Sequence, residues 1–194
     1  MSYSATNDKW VPANPKYRAV VYVTGFEQKA STDSSHQMIQ KNKTFVPRIL
    51  PITKGQTVNF PNSDPVFHNV FSLSKSNPLD LGSYMSPNSK PHTFNKTGLV
   101  KVFCNIHSDM IGSILVLKNN SYTTTDEKGN YAIKGIPNGK WKLRVWTEGP
   151  RVKPVKIVVK NNSKSNHDFT AKIKLRSSNH MNKDGKPYKS DYKY

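Results

Sequence analysis

At 194 residues the chain can form one large or two small domains, and a hydrophobic share of 35% is enough for a packed core. No run of about 20 apolar residues is present, which excludes a membrane-spanning helix, and a single cysteine excludes an intramolecular disulfide. The formal charge of +18 favours acidic partners and says nothing about fold, while lysines scattered over strands and turns, without a basic helix or nucleic-acid motif, argue against specific nucleic-acid recognition.

The 13 Pro and 10 Gly, with abundant Ser, Asn and Thr, favour many strands joined by turns. Residues 1–16 read as an irregular lead-in, polar and broken by Pro12 and Pro15. The amino terminus has no apolar h-region and does not read as a signal peptide; a chain from which one had been removed would look the same. Residues 17–23 are β-branched and aromatic, a strand ended by Thr24 and Gly25. Residues 37–40 and 45–52 read as short strands, the second placed at an edge or a strand end by Pro47 and Pro51. A turn at Gly55 leads to 57–60, which alternates as a half-buried strand should. In 68–73 the same alternation puts His68, Val70 and Ser72 on one face, with His68 inward. Residues 74–90, rich in Pro and Ser, read as irregular chain pinned by Leu79, Leu81 and Tyr84. Strands are expected at 100–103 and 111–117. Further on, 122–133 carries a hairpin signal around a Gly-containing turn, 136–146 alternates at Trp141, Leu143 and Val145, and 155–159 is a last strand. Residues 177–194 read as a flexible tail, and His36, His92, His167 and His180 as surface residues.

The lone Cys104 is followed by His107 at i+3 and Met110 at i+6. A single cysteine or methionine is ordinarily core filler, but here thiolate, imidazole and thioether share one loop between two strands, where side chains can converge. These soft to borderline donors favour copper or zinc over calcium or magnesium. His68 offers a second imidazole, and two His, one Cys and a distant Met make the trigonal site with a weak axial thioether that holds electron-transfer copper. Zinc on Cys104 and two His, with water in the fourth position, is the competing reading. Met110 argues against it, since thioether is a poor zinc ligand and no general base is evident nearby.

Cys-x-x-His-x-x-Met after a strand, with His68-Asn69 upstream, resembles the type 1 (blue) copper proteins, or cupredoxins, and the short His-to-Met spacing is most similar to the amicyanin branch. A longer match through 38–40, 45–47, 55–58, 60–64, 68–72, 79–82 and 104–107 resembles the cupredoxin-type proteins labelled methylamine-utilisation proteins, and spans roughly Arg18 to Leu117. The resemblance implies an all-β Greek-key sandwich over 17–118 and one type 1 copper held by His68, Cys104 and His107, with Met110 axial. It further implies that Asn69 ties the ligand loops together and that electrons pass by the outer edge of His107. Periplasmic or exported residence, a redox partner protein and a carrier role without enzymatic activity follow from the same resemblance. Where relatives commonly have Pro after the loop histidine, this chain has Ser108 and then Asp109, which implies a freer loop or a serine hydrogen bond that shifts the potential and the His107 pKa. A copper-binding protein for delivery or storage would use the same ligands, and a scaffold with an empty site is a further alternative.

Residues 119–176 contain Thr-Asp-x-x-Gly-x-Tyr-x-Ile, then Ile-Pro-x-Gly-x-Trp-x-Leu-x-Val, which resembles the carboxypeptidase regulatory-like (transthyretin-like) β-sandwich repeat. About half of such a module is present, and 17–23 has the character to supply the missing strands. From Lys118 onward there are 18 Lys and Arg against 6 Asp and Glu, which reads either as the place where an acidic redox partner or surface docks or as a solvated lysine-rich face.

Overall fold

The computed structural model describes residues 3–4, 18–30, 36–160, 164–171 and 180–188. Every helix or strand among them is a strand, as the turn-rich composition and period-two patterning lead one to expect. Contacts divide the chain into two compact units, Ala30–Leu117 with Ser177–Tyr194, and Met1–Lys29 with Lys118–Arg176.

In the first of these, a five-stranded sheet runs in the order Ile49–Thr53, Ile111–Leu117, Gly98–Phe103, His68–Ser72, Leu79–Tyr84. A three-stranded sheet places Thr57–Pro61 between Ser89–Thr93 and His36–Gln37, and Ile39–Lys41 pairs with Thr44–Val46 as a hairpin. The two sheets share one apolar cluster that includes Phe60, Val58, Val70, Val100, Val102, Ile114 and Val116. Each such side chain taken from water contributes about 1.5–3 kcal/mol. Gly112 lets this interior close, because a β-carbon there would lie 2.8 Å from Val102 Cγ2 and 3.2 Å from Met38 Sδ. Pro51 sits in the edge strand Ile49–Thr53, where its missing N–H costs little in ladder bonds, as its proline predicted.

Two expectations change here. The 45–52 run splits into two strands around Pro47 and Arg48. Within 74–90, read as irregular, Leu79–Tyr84 is a strand, paired antiparallel with His68–Ser72 through a bulge between Asn69 and Phe71, and Ser89–Thr93 pairs with Thr57–Pro61. The reason is tertiary. Tyr84 donates its hydroxyl to the Phe60 carbonyl at 2.7 Å and accepts from Gln40 Nε2 at 2.7 Å, so the segment is held across the sandwich by partners that local propensity does not display.

The second unit is built on a four-stranded sheet in the order Tyr122–Thr124, Val20–Thr24, Gly139–Trp146, Val155–Val159. Its buried face presents Val21, Val23, Leu143, Val145 and Ile157, with Phe169 packed on them. The strand expected at 17–23 is Val20–Thr24, and it pairs with strands of the unit that contains 118–160, the place left open for it as a borrowed strand. Val20–Thr24 pairs with both Gly139–Trp146 and Tyr122–Thr124. The buried Asn119 amide adds hydrogen bonds to the carbonyls of Val23 and Phe26 at 3.1 and 3.0 Å. The hairpin expected over 122–133 does not form. Tyr122–Thr124 pairs with Val20–Thr24 instead, and Asp126 closes the turn by accepting from Lys128 N, Asn130 N and Asn130 Nδ2. Most of the 1–16 lead-in lies outside the described residues, which include only the Tyr3–Ser4 strand paired with Phe169–Thr170. Of the expected tail, 177–194, only 180–188 lie among the described residues, and they belong to the unit with Ala30–Leu117. This segment is not a free end, since Lys183 and Tyr188 hydrogen-bond to Asn105 and Cys104.

Candidate metal centre

The strands Gly98–Phe103 and His68–Ser72 are antiparallel neighbours in register at Phe103 and Phe71. Cys104 follows the first and His68 opens the second, so the pairing brings sulfur and imidazole together at one end of the sheet. The loop after Cys104 folds back on itself. Cys104 N donates to the Met110 carbonyl at 3.2 Å and Met110 N to the His107 carbonyl at 3.1 Å, which swings His107 toward the sulfur.

His68, Cys104 and His107 converge as a group able to hold a metal ion. Cys104 Sγ lies 3.9 Å from His68 Nδ1 and 3.7 Å from His107 Nδ1, and the two Nδ1 atoms are 3.1 Å apart. The point equidistant from these three atoms lies about 2.1 Å from each, close to the bond lengths of about 2.0–2.3 Å that nitrogen and sulfur ligands make to zinc. The donor set and its spacing fit a single soft or borderline ion. His68 and Cys104 are fully buried, and His107 is partly exposed.

Asp64 completes the arrangement. Its Oδ2 lies 2.8 Å from His68 Nε2, so with Nε2–H donating to the carboxylate, the Nδ1 lone pair faces the other donors. The same carboxylate accepts from Asn42 N at 2.7 Å and Lys43 N at 2.8 Å, the two left-handed residues (φ 53° and 54°) of the turn between Ile39–Lys41 and Thr44–Val46. Burial works against the Asp64 charge, but the N–H donors of Lys43 and Asn42 and the His68 ring outweigh it and hold the carboxyl below its ordinary range. Burial likewise opposes a charged His68, and Cys104 and Asp64 together overcome it, raising that ring's pKa. Burial pushes the Cys104 thiol up, yet the His68 ring and the N–H groups of Asn69, Ile106 and His107 bring it below the usual value. His107 is lowered, first by burial and then by the His68 charge. Such an arrangement favours thiolate at Cys104 and neutral imidazole at His107, whereas His68, held toward its protonated form by Cys104 and Asp64, gives up a proton when its Nδ1 binds a metal.

Of the residues singled out from the sequence, His68, Cys104 and His107 are brought together. Met110 is fully buried in the same apolar cluster as Cys104. Asn69 acts through its backbone as much as its side chain: its N–H lies 3.5 Å from Cys104 Sγ, and its Nδ2 donates to Asp80 Oδ1 at 2.8 Å on the neighbouring strand. His180, expected on the surface, instead lays its ring 4.4 Å from that of Phe103. Asp64 went unnoticed in the sequence, although a carboxylate four residues before a ligand histidine was the available signal. Asp80, His180, Lys183 and Tyr188 carried no local signal.

These features define an all-β protein in which two histidines and one cysteine converge as a group able to hold a metal ion. No protein-family profile and no curated protein sequence matches the chain. Among solved structures it is similar to a purple cupredoxin from Nitrosopumilus maritimus, at 23% identity and TM-score 0.39 over 43% of this chain and 100% of that one. It is also similar to a copper-containing nitrite reductase from Thermus scotoductus SA-01, at 24% identity and TM-score 0.42 over 49% of this chain and 25% of that one. A Cu(I) form of a methionine-to-alanine mutant of amicyanin matches at 17% identity and TM-score 0.41, over 50% of this chain and 98% of that one. At such scores the functional reading rests on the site's own geometry.

Proposed function

We propose that this chain is an electron-transfer protein of cupredoxin type in which His68, Cys104 and His107, together with Met110, would hold one type 1 copper ion. The observation that carries the reading is the triangle of Nδ1, Nδ1 and Sγ, with His68 oriented by Asp64. Copper bound there would supply a one-electron couple with a covalent thiolate bond. The chain's own residues do the rest. Asp64 fixes the His68 tautomer, and the N–H groups of Asn69 and Ile106 at 3.5 and 3.4 Å direct partial positive charge at the sulfur. Burial of His68 and Cys104 excludes water, and the partly exposed His107 ring is the route by which an electron leaves. In this reading the chain is a carrier, not an enzyme, and works in the periplasm or outside the cell. The more basic unit is a carboxypeptidase regulatory-like β module that meets an acidic redox partner.

Metal analysis with a visible spectrum of the oxidised protein tests this. One copper per chain, intense visible colour and reversible cycling without metal loss are expected. Cys104→Ala should abolish the colour and the metal-centred redox, and Met110→Leu should keep copper but raise the potential. A Cys104→Ala protein that still binds one copper with an unchanged spectrum would overturn the assignment. Ready release of copper to a partner would favour delivery or storage over electron transfer.

A further inference from the structure

Residues 180–188 lie beside the site, although they are distant from it in sequence. Phe71 and Phe103 are register partners that alternate with the inward Val70 and Val102, so both rings point to the outer face of the five-stranded sheet. Phe71 is nonetheless 1% exposed. His180 covers that face, its ring 4.4 Å from Phe103 and 6.3 Å from Phe71, with Tyr188 edge-on to it at 5.1 Å.

The segment has a built shape. Asn182 Oδ1 accepts from Asp184 N and Lys186 N at 3.0 and 2.9 Å, and the turn closes through Asn182 N to the Lys186 carbonyl at 2.8 Å. From this turn, two residues grip the metal centre from behind. Tyr188 donates its hydroxyl to the carbonyl of Cys104. Lys183 donates its main-chain N–H to Asn105 Oδ1 at 2.8 Å and its ammonium to Asp80 Oδ2 at 2.9 Å. The other oxygen of Asp80 holds Asn69 Nδ2, and the Asn69 N–H faces Cys104 Sγ. Both strands that carry the donors are thus tied to one short segment, on the side of the sheet away from the donors.

We propose that residues 180–188 form a strap that locks the ligand loop in place, with Tyr188 and Lys183 as positioning residues for the Cys104 sulfur. The loop from Cys104 to Met110 carries two of the three donors, so any opening displaces both. The strap adds a second point of attachment beyond the loop's own hydrogen bonds and so suppresses such local opening. Its significance for copper rests on the metal-centre reading, but the strap itself can be tested without metal.

Cys104 is the chain's single cysteine and is fully buried, so its reaction with excess Ellman's reagent in the metal-free full-length protein reports loop opening. Tyr188→Phe removes the hydrogen bond to the Cys104 carbonyl, together with the longer 3.4 Å contact from the hydroxyl to His180 Nδ1, and keeps the ring edge-on to His180. It should speed the reaction by about three- to tenfold, the range expected for one lost hydrogen bond, and adding Lys183→Ala should speed it further. Lys186→Ala, whose main-chain bonds are retained, should react at the parent rate. The urea midpoints of all variants should move too little to account for these factors. A chain ending at residue 179 should react fastest, and a synthetic 180–194 peptide should slow it again. In copper-loaded protein, Tyr188→Phe should speed transfer of Cu(I) to bathocuproine disulfonate by a similar factor and shift the thiolate band of the Cu(II) form. If Tyr188→Phe and the double variant react at the parent rate, the strap does not hold the loop, whatever the copper results. If the thiol arm succeeds and no copper binds, the strap stands and the metal-centre reading falls.

Discussion

Asp64 is a single carboxylate with two duties. It pins the Asn42–Lys43 turn and orients His68, so its replacement separates fold from metal binding. Asp64→Asn keeps an acceptor for the turn but cannot satisfy all three donors, and copper affinity should fall about 10–100-fold, measured by competition with a chelator of known affinity. The pH response has a definite sign. Because the folded-state pKa of Asp64 lies below its unfolded value, its stabilising contribution is present above the ordinary carboxylate range and is lost as pH falls through the folded value. Urea unfolding of the metal-free protein at pH values below about 4 should therefore show a steeper loss in the parent than in Asp64→Asn. At this scale much of the centre was legible. Cys104 and His107 advertise themselves by spacing on one loop, because chain connectivity alone keeps them close. Asp64 is as near to His68 in sequence, yet an acid at that offset has many ordinary uses, and only the 2.8 Å contact selects this one.

Among the elements, those marked by clear alternation or by a continuous apolar run matched expectation. Thr57–Pro61, Ile111–Leu117 and Gly139–Trp146 each bury one clear apolar face or core run. The failures share a cause. Leu79–Tyr84 lacks clean alternation because a bulge interrupts its pairing, and it becomes a strand by the hydrogen bonds of its neighbour His68–Ser72 and by the anchoring of Tyr84. Tyr122–Thr124 had a nearby partner by turn chemistry, but Val20–Thr24 competes for it from about a hundred residues away. Asn119 helps decide that competition. Its Nδ2 holds two carbonyls of the Val20–Thr24 region, and its Oδ1 accepts from Ser121 N. Asn119→Ala leaves several buried groups unpaired and should cost about 2–4 kcal/mol in urea-derived stability. A loss below about 0.5 kcal/mol would show that the strand pairing does not depend on it.

For the whole molecule, charge and burial are sorted by face. Lys140, Lys142 and Arg144 alternate along Gly139–Trp146 with the buried Leu143 and Val145, and Lys156 is the register partner of Lys142. This gathers cations on the outer face of the four-stranded sheet, where an acidic partner would be attracted by long-range electrostatics. With poly-glutamate as the probe, binding should weaken as salt rises from about 50 to 200 mM, where screening shortens to about a nanometre. Lys142→Glu with Lys156→Glu should reduce both the binding and its salt dependence, and an unchanged salt response would rule this face out. What the amino-acid order determined by itself was the all-β class, most strand positions, the net charge and the loop that carries two donors, because each is a property of neighbours along the chain. What only the tertiary structure decided was the contact of Asp64 with His68, the pairing of Leu79–Tyr84 with His68–Ser72, and the return of Tyr188 to Cys104 across 84 residues. Those depend on which strand edges and buried surfaces find each other, and period and spacing do not encode that choice.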